Sequence, residues 1–227
     1  MSSTMHRINA SPLLRPVAIA AVSLTVAIAG CESTPASSAA SAATQTEAKQ
    51  IIDSSFSAQG QAGIDRLQQD ALQKACSSPT PPSPDIESAL EAAEAAKLRQ
   101  PSDGRYLGDW REGEKLAQNG RGMTWSDKAD APNGGNCYNC HQLSEKEISF
   151  GTLGPSLHHW GKQRGVSDPA SPQSAAAIRY TWDKLYDAKA GNACSLMPRF
   201  GAAHILTTQQ MRDIMALLLD PKSPVNQ

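Results

Sequence analysis

Cys137-Tyr138-Asn139-Cys140-His141 sets two thiols one helical turn apart and an imidazole directly after the second. That is the spacing by which a c-type haem is attached to a chain. Each thiol reaches one vinyl group, and His141 is placed under the iron as proximal ligand. Two other chemistries use Cys-x-x-Cys, a thioredoxin-like redox pair and half of a zinc site. Neither needs the histidine that follows. The motif occurs once in the 227 residues, so the expected cofactor is one covalently bound haem c on Cys137 and Cys140.

An iron held by His141 has a second axial position. Met123, His158, His159, Met197, His204, Met211 and Met215 are the candidates. Met211 and Met215 stand at i, i+4 on the apolar side of a helical pattern, where Met is usually core filler. His158 and His159 follow Pro155 closely enough for one of them to swing toward the metal. Met197 precedes a proline in the irregular segment Ser195-Leu196-Met197-Pro198-Arg199-Phe200. Such a segment between two helices can direct a side chain at a metal from the face opposite His141. Met197 is therefore the favoured ligand and a histidine the alternative. A thioether opposite an imidazole raises the reduction potential relative to two histidines. Arg199, beside this ligand, is read either as a solvated residue or as a contact for a haem propionate or a partner carboxylate.

The elements that must position these residues are helical. Ile52, Phe56, Ile64, Leu67 and Ala71 recur at nearly helical spacing before the turn-forming run Pro79-Thr80-Pro81-Pro82-Ser83-Pro84. Ile86, Leu90 and Ala93 predict a short helix with those residues on one side. Asp109, with Glu112 three residues on in capping-box spacing, predicts the start of a third helix that Gly120 stops. Residues 174 to 189 place Ile178, Trp182 and Leu185 on one face. Thr207 and Thr208 open a last helix carrying Met211, Ile214, Met215 and Leu218, ended by Asp220-Pro221. No strand pattern occurs, and the fold class expected is all-α.

Arg7 and Arg15 precede the apolar run from Val17 to Ala29, which is too short for the roughly 20 residues of a membrane-spanning helix. Residues 1-30 therefore read as an export signal. Its end, Ile28-Ala29-Gly30-Cys31, is similar to the lipobox of bacterial lipoproteins, with Cys31 as the acylated residue. The Ser/Ala-rich stretch 31-48 reads as a flexible tether, 49-100 as a helical N-terminal extension and 101-227 as the cytochrome domain. Removing Arg7 and Arg15 from the 21 basic residues leaves 19 against 22 acidic ones, and that balance excludes nucleic acid as a partner. Setting aside Cys31, Cys137 and Cys140 leaves Cys76 and Cys194. Parity and an oxidising compartment favour pairing them, the alternative being two free buried thiols.

The order of parts resembles class I cytochromes c: a helix with Gly113 and Leu116, the attachment motif, Gly154-Pro155-Ser156-Leu157, a Met-Pro and a closing helix. That resemblance implies a class I cytochrome c fold, here with an N-terminal helical extension. It also implies that the carbonyl of Pro155 orients the His141 ring. The closing helix departs from the pattern in lacking an aromatic, so Leu217 and Leu218 must pack in its place.

Longer stretches are similar to the SoxX family, the monohaem subunit of a sulfur-oxidation cytochrome pair. They are Gly120-Arg121-Gly122-Met123-Thr124-Trp125-Ser126-Asp127, Gly134-Gly135-Asn136, Gly151-Thr152-Leu153-Gly154-Pro155, Ile178-Arg179-Tyr180-Thr181, Cys194-Ser195-Leu196-Met197-Pro198-Arg199-Phe200-Gly201 and residues 217 to 226. The resemblance implies a heterodimer with a SoxA-like cytochrome, the pair acting as L-cysteine S-thiosulfotransferase. That enzyme joins thiosulfate oxidatively to a cysteine of the carrier SoxYZ. This chain would accept the electrons and pass them to a small cytochrome c, the catalytic site lying in SoxA and no catalytic residue in this chain. The implied location is periplasmic; the lipobox departs from the common soluble form of the family and adds an expected tether to the outer membrane through Cys31. A stand-alone electron-transfer lipoprotein serving another dehydrogenase or oxidase is the competing expectation.

Overall fold

The structure is a computed structural model that describes residues 38–227, with side chains from Thr44 onward. The expected export signal, Cys31 and the first part of the expected tether lie outside the described residues. The chain divides into two units at residue 53, and each is described by itself. The first contains most of α1 (Ser38–Ser55). A flexible tether to residue 48 was expected, whereas the backbone is helical from Ser38. Its composition explains the difference: Ala40, Ala42 and Ala43 are the strongest helix formers, and Glu47, Lys49 and Gln50 follow them. A Lys49–Asp53 pair at i, i+4 adds a little support.

The second unit is helical throughout its regular structure. Six helices follow α1: α2 (Ala71–Cys76), α3 (Pro84–Ala95), α4 (Trp110–Gln118), α5 (Trp160–Gln163), α6 (Ala175–Tyr186) and α7 (Thr208–Leu219). The only strand-like feature among the described residues is an isolated bridge between Gln59 and Ala62. The all-α expectation holds. No described helix is long and apolar enough to cross a membrane.

The main core forms where α6 and α7 pack. Ile178, Trp182 and Leu185 of α6 meet Met211, Ile214, Met215, Leu218 and Leu219 of α7, with Phe200 and Leu206 closing the group. Met211 and Met215 are thus core residues, as their helical spacing indicated. A second cluster joins Ala117, Leu143, Leu217 and Val225, so Leu217 fills space in the closing helix without an aromatic.

α7 begins at a complete capping box, with Gln210 N–H donating to Thr207 and the Gln210 side chain accepting from Thr207 N–H. It ends at Asp220, before Pro221. The tail then folds back. The Asn226 amide donates to the Leu218 and Asp220 carbonyls, and its oxygen accepts from Gly161 and Lys162. One buried side chain therefore ties the end of α7 to the start of α5.

Two local expectations need correction. At the head of α4, Asp109 caps by accepting from Arg111 N–H, and Glu112 pairs with Lys115 instead of returning to the cap. At its foot Gly120 is not the stop. Asn119 is the cap residue, in extended backbone, and the carbonyls of Leu116 and Asn119 are taken by Gly135 and Asn136. The extension also differs: Phe56, Ile64 and Leu67 are exposed, and Leu72 is the buried anchor of α2.

The closest helix crossing is α4 on α7. A Cβ at Gly113 would stand 2.1 Å from the Asp213 carbonyl oxygen and 3.0 Å from Leu217 Cβ. Gly113→Ala must separate two backbones, and the expected loss is at least roughly 1–3 kcal/mol. Chemical denaturation measures it; an unchanged midpoint would show that the crossing yields freely.

Candidate functional site

Cys137 and Cys140 sit in a single tight turn, Cys137–Asn139, in which the Cys137 carbonyl accepts from both Cys140 N–H (3.1 Å) and His141 N–H (2.9 Å). The turn is suspended from α4. Gly135 N–H donates to Leu116 O at 2.8 Å, which also accepts from Asn119 N–H, and Asn136 N–H donates to Asn119 O at 3.1 Å, a carbonyl beyond the helix's own ladder. Asn136 then takes the left-handed conformation at φ 51° that starts the turn. Gly134 lies so close to α4 that a Cβ there would be 1.9 Å from Asn119 O.

A second segment runs along the other side of the turn. Gly151 N–H donates to Tyr138 O and Gly154 N–H to Cys140 O, each at 2.8 Å. Both glycines are demanded by close approach. A Cβ on Gly151 would be 1.8 Å from Asn139 O, and one on Gly154 would be 2.2 Å from Cε1 of His141. The segment delivers the Pro155 carbonyl to His141 Nδ1 at 2.6 Å, as the class I resemblance implied. Nδ1–H donates there, which leaves Nε2 as the lone-pair nitrogen for a metal. After the ring, the Glu147 carboxylate accepts from the N–H groups of Leu143 and Ser144 and fixes the exit of the turn.

Cys137 and Cys140 are separate thiols, not bonded to each other. Burial, with a smaller contribution from Cys140, pushes the Cys137 thiol up to about 12. A redox-active pair needs a thiol whose pKa is lowered, and a zinc site needs thiolates. A raised Cys137 thiol favours neither, whereas a thioether sulfur carries no proton and no charge. Among the described residues no cluster of three or more His, Cys, Asp or Glu could hold a metal ion. The residues present are of the types that a c-type haem requires: two thiols on one turn and an imidazole whose Nδ1 is engaged by the Pro155 carbonyl.

The alternative ligands are placed as follows. Met211 and Met215 are buried in the core. Met123 accepts weak contacts from Asn133 and Arg66. His159 Nε2 bonds the Gln227 carbonyl oxygen at 2.7 Å, and its ring stacks on His158, which lies 3.7 Å from Glu145. His204 is exposed at φ 53°. Met197 is half-buried and packs against the main core, which Leu157 and Trp160 also join.

The Met197 segment has no regular structure and is held from outside. Cys194 is bonded to Cys76 at the end of α2, which bears out the expected pairing. Closing a loop across a sequence separation of 118 restricts the unfolded chain by up to about 5 kcal/mol in the entropic model. Ala193 N–H donates to Glu91 of α3 at 3.0 Å, and Lys189 donates to the Ser195 carbonyl at 2.7 Å. Arg199 is paired with Asp70, the cap of α2, at 2.8 Å and approaches Glu94 at 3.9 Å. Burial works to raise the Asp70 carboxyl, but the Gln73 N–H and the Arg199 guanidinium outweigh it and hold it below the ordinary value. Arg199 is thus an internal ion-pair partner, and not the solvated residue of one of the two expectations.

The inward side of α3 was misread. Ile86 and Ala93 are exposed, while Glu94 is buried and Glu87 and Glu91 are half-buried. Those three glutamates stand at i, i+4, i+7, a helical stripe visible in the sequence to any reading that does not reserve periodicity for apolar residues.

No protein-family model matches the chain. An uncharacterized lipoprotein of Aquifex aeolicus (strain VF5) is 36% identical over 162 residues, which is 70% of this chain and 73% of that protein. The chain belongs to the same family as that lipoprotein.

The close approach at Gly154 generates a test. Gly154→Ala must displace the His141 ring, and the yield of haem-loaded protein is expected to fall several-fold. Gly191→Ala, whose added methyl meets only the flexible end of Lys184, is the control. Equal absorbance ratios of haem to protein in the two variants would contradict the assignment.

Proposed function

We propose that this chain is an exported electron-transfer cytochrome with one haem c on Cys137 and Cys140, His141 and Met197 being the axial ligands. The observation that carries the reading is the Cys137-to-His141 turn with Nδ1 of His141 bonded to the Pro155 carbonyl at 2.6 Å. When bound, the haem supplies a one-electron iron couple. His141 offers Nε2 in a fixed tautomer because Nδ1–H is engaged. Cys137 and Cys140 would hold the group, on a turn whose own position is set by backbone bonds to the end of α4. Met197 is offered from a segment restrained by the disulfide and by Arg199, which limits rearrangement on electron transfer. No side chain here is assigned as an acid, base or nucleophile.

Within that class, the stretches similar to SoxX support the monohaem subunit of a SoxAX pair. In this reading SoxA carries the bond-making site, thiosulfate is joined to a cysteine of SoxYZ, and this chain relays the two released electrons one at a time to a small cytochrome c. The Ile28-Ala29-Gly30-Cys31 sequence and the lipoprotein relative support a tether at the periplasmic face of the outer membrane, with Cys31 acylated. The same two observations favour, as a second reading, a tethered cytochrome that serves a different dehydrogenase or oxidase.

Rapid reduction of this haem is expected when thiosulfate, SoxA and SoxYZ are supplied together, and none when any one is omitted. No reduction with all three would refute the sulfur-oxidation reading. Met197→Ala is expected to lose the Met-to-ferric-iron charge-transfer band; an unchanged spectrum would move the axial ligand to a histidine.

A further inference from the structure

α3 turns acidic side chains inward, and they meet the Met197 segment. Glu94 is 5% exposed and Asp187, just after α6, is 1% exposed. α3 packs on the turn Ala188–Gly191 that follows Asp187, which brings the two carboxyls within each other's electrostatic reach. One oxygen of Asp187 accepts from Lys189 N–H at 3.0 Å, while the buried Oδ2 meets no protein donor. Glu94 in turn holds Lys97 at 2.7 Å and lies 3.9 Å from Arg199, whose other nitrogen holds Asp70. Two carboxyls buried side by side do not both ionise without a large penalty. A single proton between them removes the repulsion and gives the unsatisfied Asp187 oxygen a role as donor.

We propose that Glu94, Asp187 and Arg199 form a positioning clasp for the Met197 segment, with Asp187 protonated and donating to the Glu94 carboxylate that faces Arg199. This rests on the reading of Met197 as an axial ligand for its consequence at the iron, but not for the clasp itself. The three groups come from different elements: α3, the end of α6, and the segment two residues past Met197. They hold that segment past Met197 while the disulfide holds it before, so the N-terminal extension becomes part of the ligand's support.

The groups facing Asp187 are Glu94 from α3, Lys189 from the following turn and Arg199 from the segment, with Asp70 of the α2 cap beside the last two. Burial raises the Asp187 carboxyl above its ordinary value; the Lys189 N–H opposes this, Glu94 adds to it and Arg199 works against it. A raised native pKa stabilises the fold fully below the ordinary carboxyl value, and that stabilisation is lost as pH rises through the raised one. The clasp therefore tightens toward acid and loosens toward base.

The test is pH-dependent hydrogen exchange of the amides of residues 193 to 201 in the haem-loaded full chain, corrected for intrinsic exchange rates. The wild type is expected to lose protection as pH rises. Asp187→Asn keeps a donor toward Glu94 with no proton to release, and it is expected to abolish that dependence. Arg199→Gln is expected to lower protection about tenfold or more across the range, the scale of a lost charge-assisted hydrogen bond, with Arg199→Lys restoring part of it. Exchange that follows the same pH course in wild type and Asp187→Asn overturns the clasp. Exchange that responds as expected while the Met-to-iron band is missing from the wild type overturns the Met197 reading and leaves the clasp standing.

Discussion

Where α4 crosses α7 no side chain separates the two backbones, because Gly113 lies directly on the Asp213 carbonyl. The turn from Cys137 to His141 depends on that contact. α7 also braces the head of α4: the Asp213 carboxylate accepts from Asp109 N–H at 2.9 Å, and the Arg212 carbonyl accepts from Gly108 N–H. With both its packing and its head fixed, α4 presents the carbonyls of its last turn and cap at a defined place. Gly135 and Asn136 hang on those carbonyls, and the Cys137 turn follows at once. Backbone hydrogen bonds of this kind are individually modest, with a net value of about 1 kcal/mol each. In series they fix the direction of two thiols and one imidazole, with the buried Asp213 carboxylate as the one charged group among them.

The two sides of the site are built differently. The His141 side is mainly a backbone construction in which glycines at 134, 151 and 154 let three segments touch, with side-chain bonds from His141 to Pro155 and from Leu143 and Ser144 N–H to Glu147. The Met197 side has no such frame. It is held by a covalent bridge, two side-chain bonds to its backbone, and the Arg199 ion pairs. A proximal ligand that must stay fixed and a thioether segment with a titratable restraint would give one iron two kinds of support. The extension over residues 70 to 95 supplies most of the second kind.

Much of this was legible in the sequence because it is periodic or stoichiometric. The faces of α6 and α7 followed from apolar residues at helical spacing, and the Cys76–Cys194 bridge from parity. The ends of α4 were not legible, since its stop is a tertiary event: carbonyls captured by a segment fifteen or more residues away. Nor was the buried side of α3, where Glu91 and Glu94 point inward because a backbone N–H and Arg199 wait for them. Charged residues at helical spacing look solvated until their partners are known. The run from Ser38 read as a tether because small polar residues bury little, yet alanines form helix without burying anything.

The central claim is that Cys137 and Cys140 carry a haem through covalent bonds. Intact mass spectrometry of the chain, produced where c-type haem maturation operates and then denatured, tests it most directly. The account predicts a mass increase of one haem that survives denaturation and disappears when both cysteines are replaced by alanine. A chain that runs at its bare polypeptide mass, or keeps the added mass without those two cysteines, would contradict it.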